Sequence, residues 1–317
     1  MKSTPKMLAA REAQRRRLEE HVGTAEALRQ VRADCVTKMD RLQLLCAKDP
    51  RPLLATVPFL RSVRSHQLRA PKNGAFQAYG RTHWFEHRHS GMKVNVEFDR
   101  QKGYLSPFRL TLYADDWMGL VPDEVSEILD GQENFKTTLI EIAFDFQSGV
   151  NRSFLRSHAL FGRSKPQPSH EHIEHFGART YKLVRAYYKP GISAFRVEVE
   201  VHSRFLRQHR IGNTHSFREL VGLLPGRHIL FARLNPQKLS SRLHSMGFSI
   251  KRRNEIVRTV EGMKSDLWAA LHYLRREVRM ANTRRLLEPL DTNQVVRESL
   301  RTWAERWPLI PLTLVTS

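Results

Sequence analysis

Hydrophobic and polar positions alternate most clearly between Arg185 and Arg204, a stretch that reads RAYYKPGISAFRVEVEVHSR. Side chains on a strand point to opposite faces with period two. The first half therefore sets Arg185, Tyr187 and Lys189 on one face and Ala186 and Tyr188 on the other; the second sets Arg196, Glu198 and Glu200 opposite Val197, Val199 and Val201. With Lys-Pro-Gly-Ile between them, the two segments predict a hairpin with one charged and one mainly apolar face. Upstream, TTLIEIAFDF predicts the most apolar strand of the chain, and its Glu141 and Asp145, four residues apart, also share a face. FQAYGRTHWFEH, MKVNVEF and FRLTLYA have strand character too, and their short connections favour antiparallel neighbours.

Other stretches carry a helical period. Leu18, Val22, Ala25, Leu28, Val31, Cys35, Met39, Leu42 and Leu45 recur every three or four residues, which predicts helix from about Arg11 to Lys48, ended by Asp49-Pro50-Arg51-Pro52. Such a stripe packs on its own domain or pairs with a second copy, giving a homodimer through the N-terminal helix. Residues 53 to 73 read as irregular and basic, 122 to 130 as a short helix, 151 to 162 as a helix capped by Asn151 or Ser153, and GRSKPQPSHEH as a loop. From His202 onward helices dominate, and PQKLSSRLHSMG, a short break and KRRNEIVRTVEG have the lengths of a helix-turn-helix. Trp268, Leu271, Leu274 and Val278 are spaced as a core stripe. The pattern thus predicts an α+β protein: an N-terminal helical segment over 1–50, a central mostly antiparallel sheet with flanking helices over 51–230, and a basic helical region over 231–317.

Composition narrows the class. The chain has 317 residues, 40% hydrophobic and 27% charged, as globular proteins do. Its net charge is +21, of which +17 lies C-terminal of residue 146; residues 51 to 146 balance and residues 1 to 50 carry +4. That calls for a polyanionic partner, with DNA or RNA ahead of an anionic membrane. No apolar run is long enough to span a bilayer and the N-terminus lacks the apolar core of a signal peptide, so the expected location is cytoplasmic with no membrane partner. On the expected helix Cys35 and Cys46 stand about 16 Å apart along the axis, too far for a disulfide.

The charged strand faces carry the candidate chemistry. Glu141, Asp145, Glu198 and Glu200 form an acidic cluster, and oxygen-only ligands suit a hard cation, Mg²⁺ or Mn²⁺. Tyr187 shares their face and could attack a phosphodiester if a base, a metal or a nearby cation activates it. Lys189, Arg185 and Arg196 stand beside it as phosphate-binding cations, with Lys189 placed to lower the phenol's pKa. Two blander readings compete: the face is simply solvated, or Glu198 pairs with Arg185 or Arg196 across the hairpin. Lys251, Arg252 and Arg253 open the second helix of the helix-turn-helix and Arg275 and Arg276 extend its positive surface, as DNA contacts or as a solvated basic face. The aromatics Phe76, Tyr79, Trp84 and Phe85 form no clear stacking pattern for single-stranded RNA.

FGARTYKLVRAYYK followed by FRVEVEVHSRFLR resembles the replication-initiator family of rolling-circle plasmids and filamentous phage, whose members carry Arg-x-Tyr-x-Lys and then Arg-x-Glu-x on the next strand. Here those positions are Arg185, Tyr187, Lys189, Arg196 and Glu198, with Gly177 at the preceding turn; IEIAFDF resembles the family's earlier acidic strand, giving Glu141 and Asp145. The resemblance covers about residues 135 to 210. It implies an endonuclease that nicks and rejoins one DNA strand at a replication origin, through a strand-built metal site and a covalent phosphotyrosine. Departures are visible. Pro190-Gly191 follows Lys189 where the family often has an acid, and both His170-Glu171-His172 and His87-Arg88-His89 have a charged residue where a His-hydrophobe-His metal motif has an apolar one. Tyr188, on the core-facing side, and the more distant Tyr181 are the alternative nucleophiles.

Overall fold

The computed structural model describes residues 34–68, 77–88, 93–113, 135–162, 164, 166–170, 173–178, 180–211 and 218–306. The protein is α+β. Among the described residues the first six strands are β1 (Cys35–Cys46), β2 (Leu60–Gln67), β3 (Tyr79–His87), β4 (Lys93–Arg100), β5 (Phe108–Tyr113) and β6 (Phe135–Phe146). There follow β7 (Ala159–Leu160), β8 (Pro166–His170), β9 (Ile173–Ala178), β10 (Lys182–Lys189), β11 (Ala194–His202), β12 (Leu230–Leu234) and β13 (Leu287–Pro289). Ten of these make one sheet in the order β2-β3-β4-β5-β1-β6-β11-β10-β9-β8, and β13-β12-β7 make a small second one. Every strand pair in the large sheet is antiparallel.

Among the described residues the helices are α1 (Arg51–Thr56), α2 (Arg152–His158), α3 (Ser203–Gln208), α4 (Arg218–Leu223), α5 (Pro236–Ser245), α6 (Ile250–Gly262), α7 (Leu267–Arg276) and α8 (Thr292–Arg306). Phe154 and Leu155 of α2, Phe205 of α3, Leu220 of α4 and Val296 and Leu300 of α8 bury the apolar face of the sheet, which offers Met39, Ile142, Phe144, Val184, Val197 and Val199. A separate cluster of Leu239, Leu243, Ile256, Val260, Leu274 and Val278 holds α5, α6 and α7 together. Burying one face this way is what leaves the other free to be polar. Among the described residues no helix is long and apolar enough to cross a membrane.

Three expectations need correction. Residues 35 to 46 are strand, not helix, and lie at the centre of the sheet between β5 and β6. The buried positions Thr37 and Met39, then Leu42, Leu44 and Cys46, alternate with period two on either side of a bulge between Met39 and Arg41. The extra residue of a bulge slips the phase of the alternation, and a three-residue step between Met39 and Leu42 is what a helix would also give. A boundary at residue 50 thus separates β1 from its own sheet, and the boundary between 230 and 231 falls inside β12. The rest of the expected N-terminal helix, through residue 33, and the helix at 122 to 130 lie outside the described residues. Second, the segment read as irregular contains β2, an edge strand exposed at every position after Leu60, so it has no apolar period to detect. Third, the expected helix at 151 to 162 ends at His158 and the chain continues into β7; Asn151 is its cap, accepting from the Phe154 N–H at 2.8 Å.

Two local features set the hairpin. Pro190–Ile192 forms a 3₁₀ turn closed by Ser193 at φ 49°, joining β10 to β11. Near the end of β9, Gly177 pairs with Leu183 at φ +85°, and a Cβ there would clash with the Lys182 carbonyl oxygen. Only glycine permits both that backbone and that approach.

Candidate active site

The register aligns the charged faces of β10, β11, β6 and β1 in successive rows. Tyr187 lies beside Arg196 and then Asp145; Arg185 lies beside Glu198; and Glu200 lies beside Glu141 and then Arg41. All four predicted carboxylates, together with Arg185, Arg196 and Tyr187, therefore share one face of the sheet.

They are held there in ion pairs. Arg196 donates to both oxygens of Asp145, at 2.6 and 2.8 Å, and reaches Asp40 at 2.9 and 3.2 Å. Arg185 pairs with Glu141, with Glu198 at 3.0 Å and with Glu200 at 3.7 Å. Arg41 places one nitrogen 2.9 Å from an oxygen of Glu141 and 2.9 Å from one of Glu200. Lys38 stands 3.7 Å from Asp145, and His202 stands 2.6 Å from Glu200. Tyr187 donates its phenolic proton to Glu198.

The layers of this network differ in exposure. Glu141, Asp145, Glu198 and Glu200 are buried and Arg196 is fully so, whereas the side chains of Arg41 and Arg185 remain 25% and 27% exposed. The guanidinium groups thus form an outer layer over the carboxylates.

Burial dominates the titration of the site. It raises the Asp40 carboxyl to about 6, against the pull of Arg196 and Lys189 and with the push of Glu198. The Tyr187 phenol is driven well above its ordinary value, first by burial and then by the charge and hydrogen bond of Glu198; Arg196 opposes this only in part. Lys189 makes its charge felt on Asp40, so the expected activation of Tyr187 by Lys189 gives way to a phenol held protonated. For Arg196 burial pulls down, but the Asp145 hydrogen bonds and the Asp40 charge outweigh it and raise the guanidinium further. Burial likewise works against the Glu200 carboxylate, yet His202, Arg41 and Arg185 bring it below its usual value.

Glu141, Asp145, Glu198 and Glu200 as arranged do not fit Mg²⁺ or Mn²⁺. Both Asp145 oxygens are taken by one guanidinium, and Arg41 and Arg185 stand where Glu141 and Glu200 converge. Among the described residues no group of three or more His, Cys, Asp or Glu is placed to hold a metal ion.

Four members of the network escaped the sequence reading: Lys38, Asp40, Arg41 and His202. The first three lie on the strand misread as helix, and the bulge turns the adjacent Asp40 and Arg41 both onto the charged face. His202 continues the alternation of Arg196, Glu198 and Glu200 and was legible from it. Of the alternative tyrosines, Tyr188 packs against the core, while Tyr181 lies against Phe205 with its hydroxyl 3.2 Å from His209. Neither belongs to the network.

The helix pair α5–α6 is present, with Gly247 at φ +78° in the intervening turn and Ser249 capping α6. Lys251 and Arg252 are exposed in the first turn of α6, where Arg252 pairs with Glu255 at 2.7 Å and Arg253 contacts His244. Arg275 and Arg276 lie in the last turn of α7, with Arg275 donating to Thr283.

No family model and no curated protein matches the chain. Among solved structures it is similar to the structure of a rolling-circle replication initiator protein from Geobacillus stearothermophilus, at 14% identity, covering 62% of this chain and 87% of that one, with a TM-score of 0.38. The likeness is distant and too loose to transfer the role of any residue.

Proposed function

We propose that this protein binds DNA and nicks and rejoins one strand, with Tyr187 as the attacking group and Glu198 as its base. The observation that carries this reading is the hydrogen bond from the Tyr187 hydroxyl to the Glu198 carboxylate, with the buried Arg196 alongside and the partly exposed Arg185 above Glu198. A hydroxyl bonded to a carboxylate is a nucleophile with a base attached, and the accessible Arg185 guanidinium beside it suits a phosphate. In the forward step a bond forms from Tyr187 Oη to phosphorus and the bond from phosphorus to the leaving sugar oxygen breaks. The phenolic proton passes to Glu198, and the leaving oxygen takes up a proton from solvent water. Rejoining reverses each transfer. Arrival of a phosphate gives Arg185 a competing anion, and its withdrawal from Glu198 frees that carboxylate to act. Mg²⁺ or Mn²⁺ enters this reading only where Arg41 and Arg185 leave Glu141 and Glu200. Lys251, Arg252, Arg253, Arg275 and Arg276 then serve as contacts to duplex DNA.

A second reading rests on the pairing itself. Each predicted carboxylate already has a cation partner, so the network can serve as the structural centre of a non-catalytic DNA-binding protein. One experiment separates the two. The protein is incubated with an end-labelled, randomised single-stranded DNA library, in Mn²⁺ and separately in chelator, and resolved on a denaturing gel. A covalent adduct absent from Tyr187→Phe supports strand transfer. No adduct above the Tyr187→Phe background, while DNA is still bound, selects the non-catalytic reading.

A further inference from the structure

The charged face does not end at Arg41. Across β5, Tyr113 is the register partner of Arg41, whose charge acts on its phenol against the effect of burial. Tyr113 in turn stacks with Trp84 of β3, the ring centroids 5.8 Å apart and the planes 25° from parallel. Arg64, exposed on the edge strand β2, lies over Trp84 with its guanidinium carbon 5.8 Å from the ring centroid. Lys93, exposed, is the register partner of Tyr113 on β4.

The face between these groups is polar rather than core-like. Trp84, Asn95 and Thr111 are register partners across β3, β4 and β5; Asn95 donates to Thr82 at 2.6 Å and Gln43 to Thr111 at 3.3 Å. Two half-buried aromatic rings thus lie on a hydrogen-bonded polar floor, with cations on either side. The aromatics considered from sequence divide accordingly. Tyr79 and Phe85 are buried, and Trp84 finds a partner the linear pattern did not suggest.

We infer that Trp84 and Tyr113, with Arg64 and Lys93, form a base-stacking platform for single-stranded DNA that leads along the sheet to Tyr187. Every base has a π-face, so an aromatic pair takes bases without regard to sequence, while arginine and lysine track the phosphates. From β5 to β10 is four strand spacings, roughly 19 Å, which places the platform to hold the strand several nucleotides away from the reacting phosphate. This deepens the reading above, since DNA rather than RNA is assigned from the platform's continuity with the Tyr187 face.

The test is fluorescence anisotropy of the full chain with labelled oligo-dT, an abasic oligomer of equal length, oligo-U and a DNA duplex. Trp84→Ala and Tyr113→Ala are expected to weaken oligo-dT binding at least tenfold each and to leave duplex binding unchanged, while Trp84→Phe and Tyr113→Phe keep most of it. The wild-type protein should bind the abasic strand at least tenfold more weakly than oligo-dT. Oligo-dT affinity unchanged in both alanine variants, or equal affinity for abasic and intact strands, would overturn the platform; tighter binding of oligo-U would overturn its assignment to DNA. The adduct assay is independent: a platform without an adduct leaves the platform standing and removes the strand-transfer reading, and an adduct formed equally well by Trp84→Ala does the opposite.

Discussion

Removing Arg196 is the most direct test of how the site is built. Its side chain is fully buried and serves two carboxylates, Asp145 through both oxygens at 2.6 and 2.8 Å and Asp40 at 2.9 and 3.2 Å. Arg196→Leu fills most of the volume with apolar atoms but strands two acids inside the sheet. Breaking a buried pair by deleting one partner costs about 3 to 5 kcal/mol, because the survivor is a charge without compensation. Lys38, 3.7 Å from Asp145, recovers part of this, so the lower half of the range is expected. At about 2.1 cal/mol/K of unfolding entropy per residue, a chain of 317 residues loses roughly 1.5 °C of Tm per kcal/mol, and the variant should melt about 4 to 6 °C below wild type at pH 7. Thermal melts followed by circular dichroism, with urea midpoints beside them, measure it.

The companion variant is Arg196→Leu with Asp145→Leu. Replacing both members of a buried pair with apolar residues is often neutral, so this double variant should regain the share of the loss that belongs to Asp145 while Asp40 stays unpaired, and the cycle isolates the Arg196–Asp145 pair. A single variant that melts within ~2 °C of wild type would refute the reasoning. It would mean that Asp145 and Asp40 reach water or another cation readily, and that the network does not depend on its central guanidinium.

Three further outcomes follow from other parts of the chain. Gly177→Ala forces a left-handed backbone onto alanine and a Cβ against the Lys182 carbonyl, which should cost at least ~1–2 kcal/mol; an unchanged urea midpoint would mean the end of β9 relaxes without strain. Asp40 has its folded pKa raised to about 6 by burial, above an unfolded value near 3.9. Its contribution to stability is therefore complete below about pH 4 and is lost as pH rises through about 6, so Asp40→Asn should gain on wild type between pH 4 and 7, and urea midpoints that differ by a constant amount across that range would contradict it. Replacing Lys251, Arg252 and Arg253 together with Gln should weaken duplex binding across all sequences and reduce the salt slope by about three if each meets a phosphate; an unchanged slope in a salt titration would make that face a solvated one.

The hairpin and its charged face were legible because period two survives intact within Arg185–Lys189 and again within Arg196–His202, and the register then had little freedom: a one-residue slip would turn Val197 and Val199 outward and Glu198 inward. Glu141 and Asp145 were legible for the same reason. The pairing of Glu198 with Arg185 across the hairpin was legible too; what could not be read was the share of Lys38, Asp40 and Arg41 in the network, since they come from a strand with no continuous period. In β1 a single extra residue at Asp40 breaks the alternation, and that same residue turns Asp40 and Arg41 onto one face, where they close the network around Arg196 and over Glu141 and Glu200. The feature that disguised β1 as helix is thus the one that completes the site. The aromatic pair was hidden differently. Trp84 and Tyr113 are far apart in sequence and meet only because β3 and β5 flank β4, so no spacing rule could join them. A face assembled from Arg64 to Tyr187 across eight strands is a property of strand order, and strand order is what the hydrophobic pattern alone leaves open.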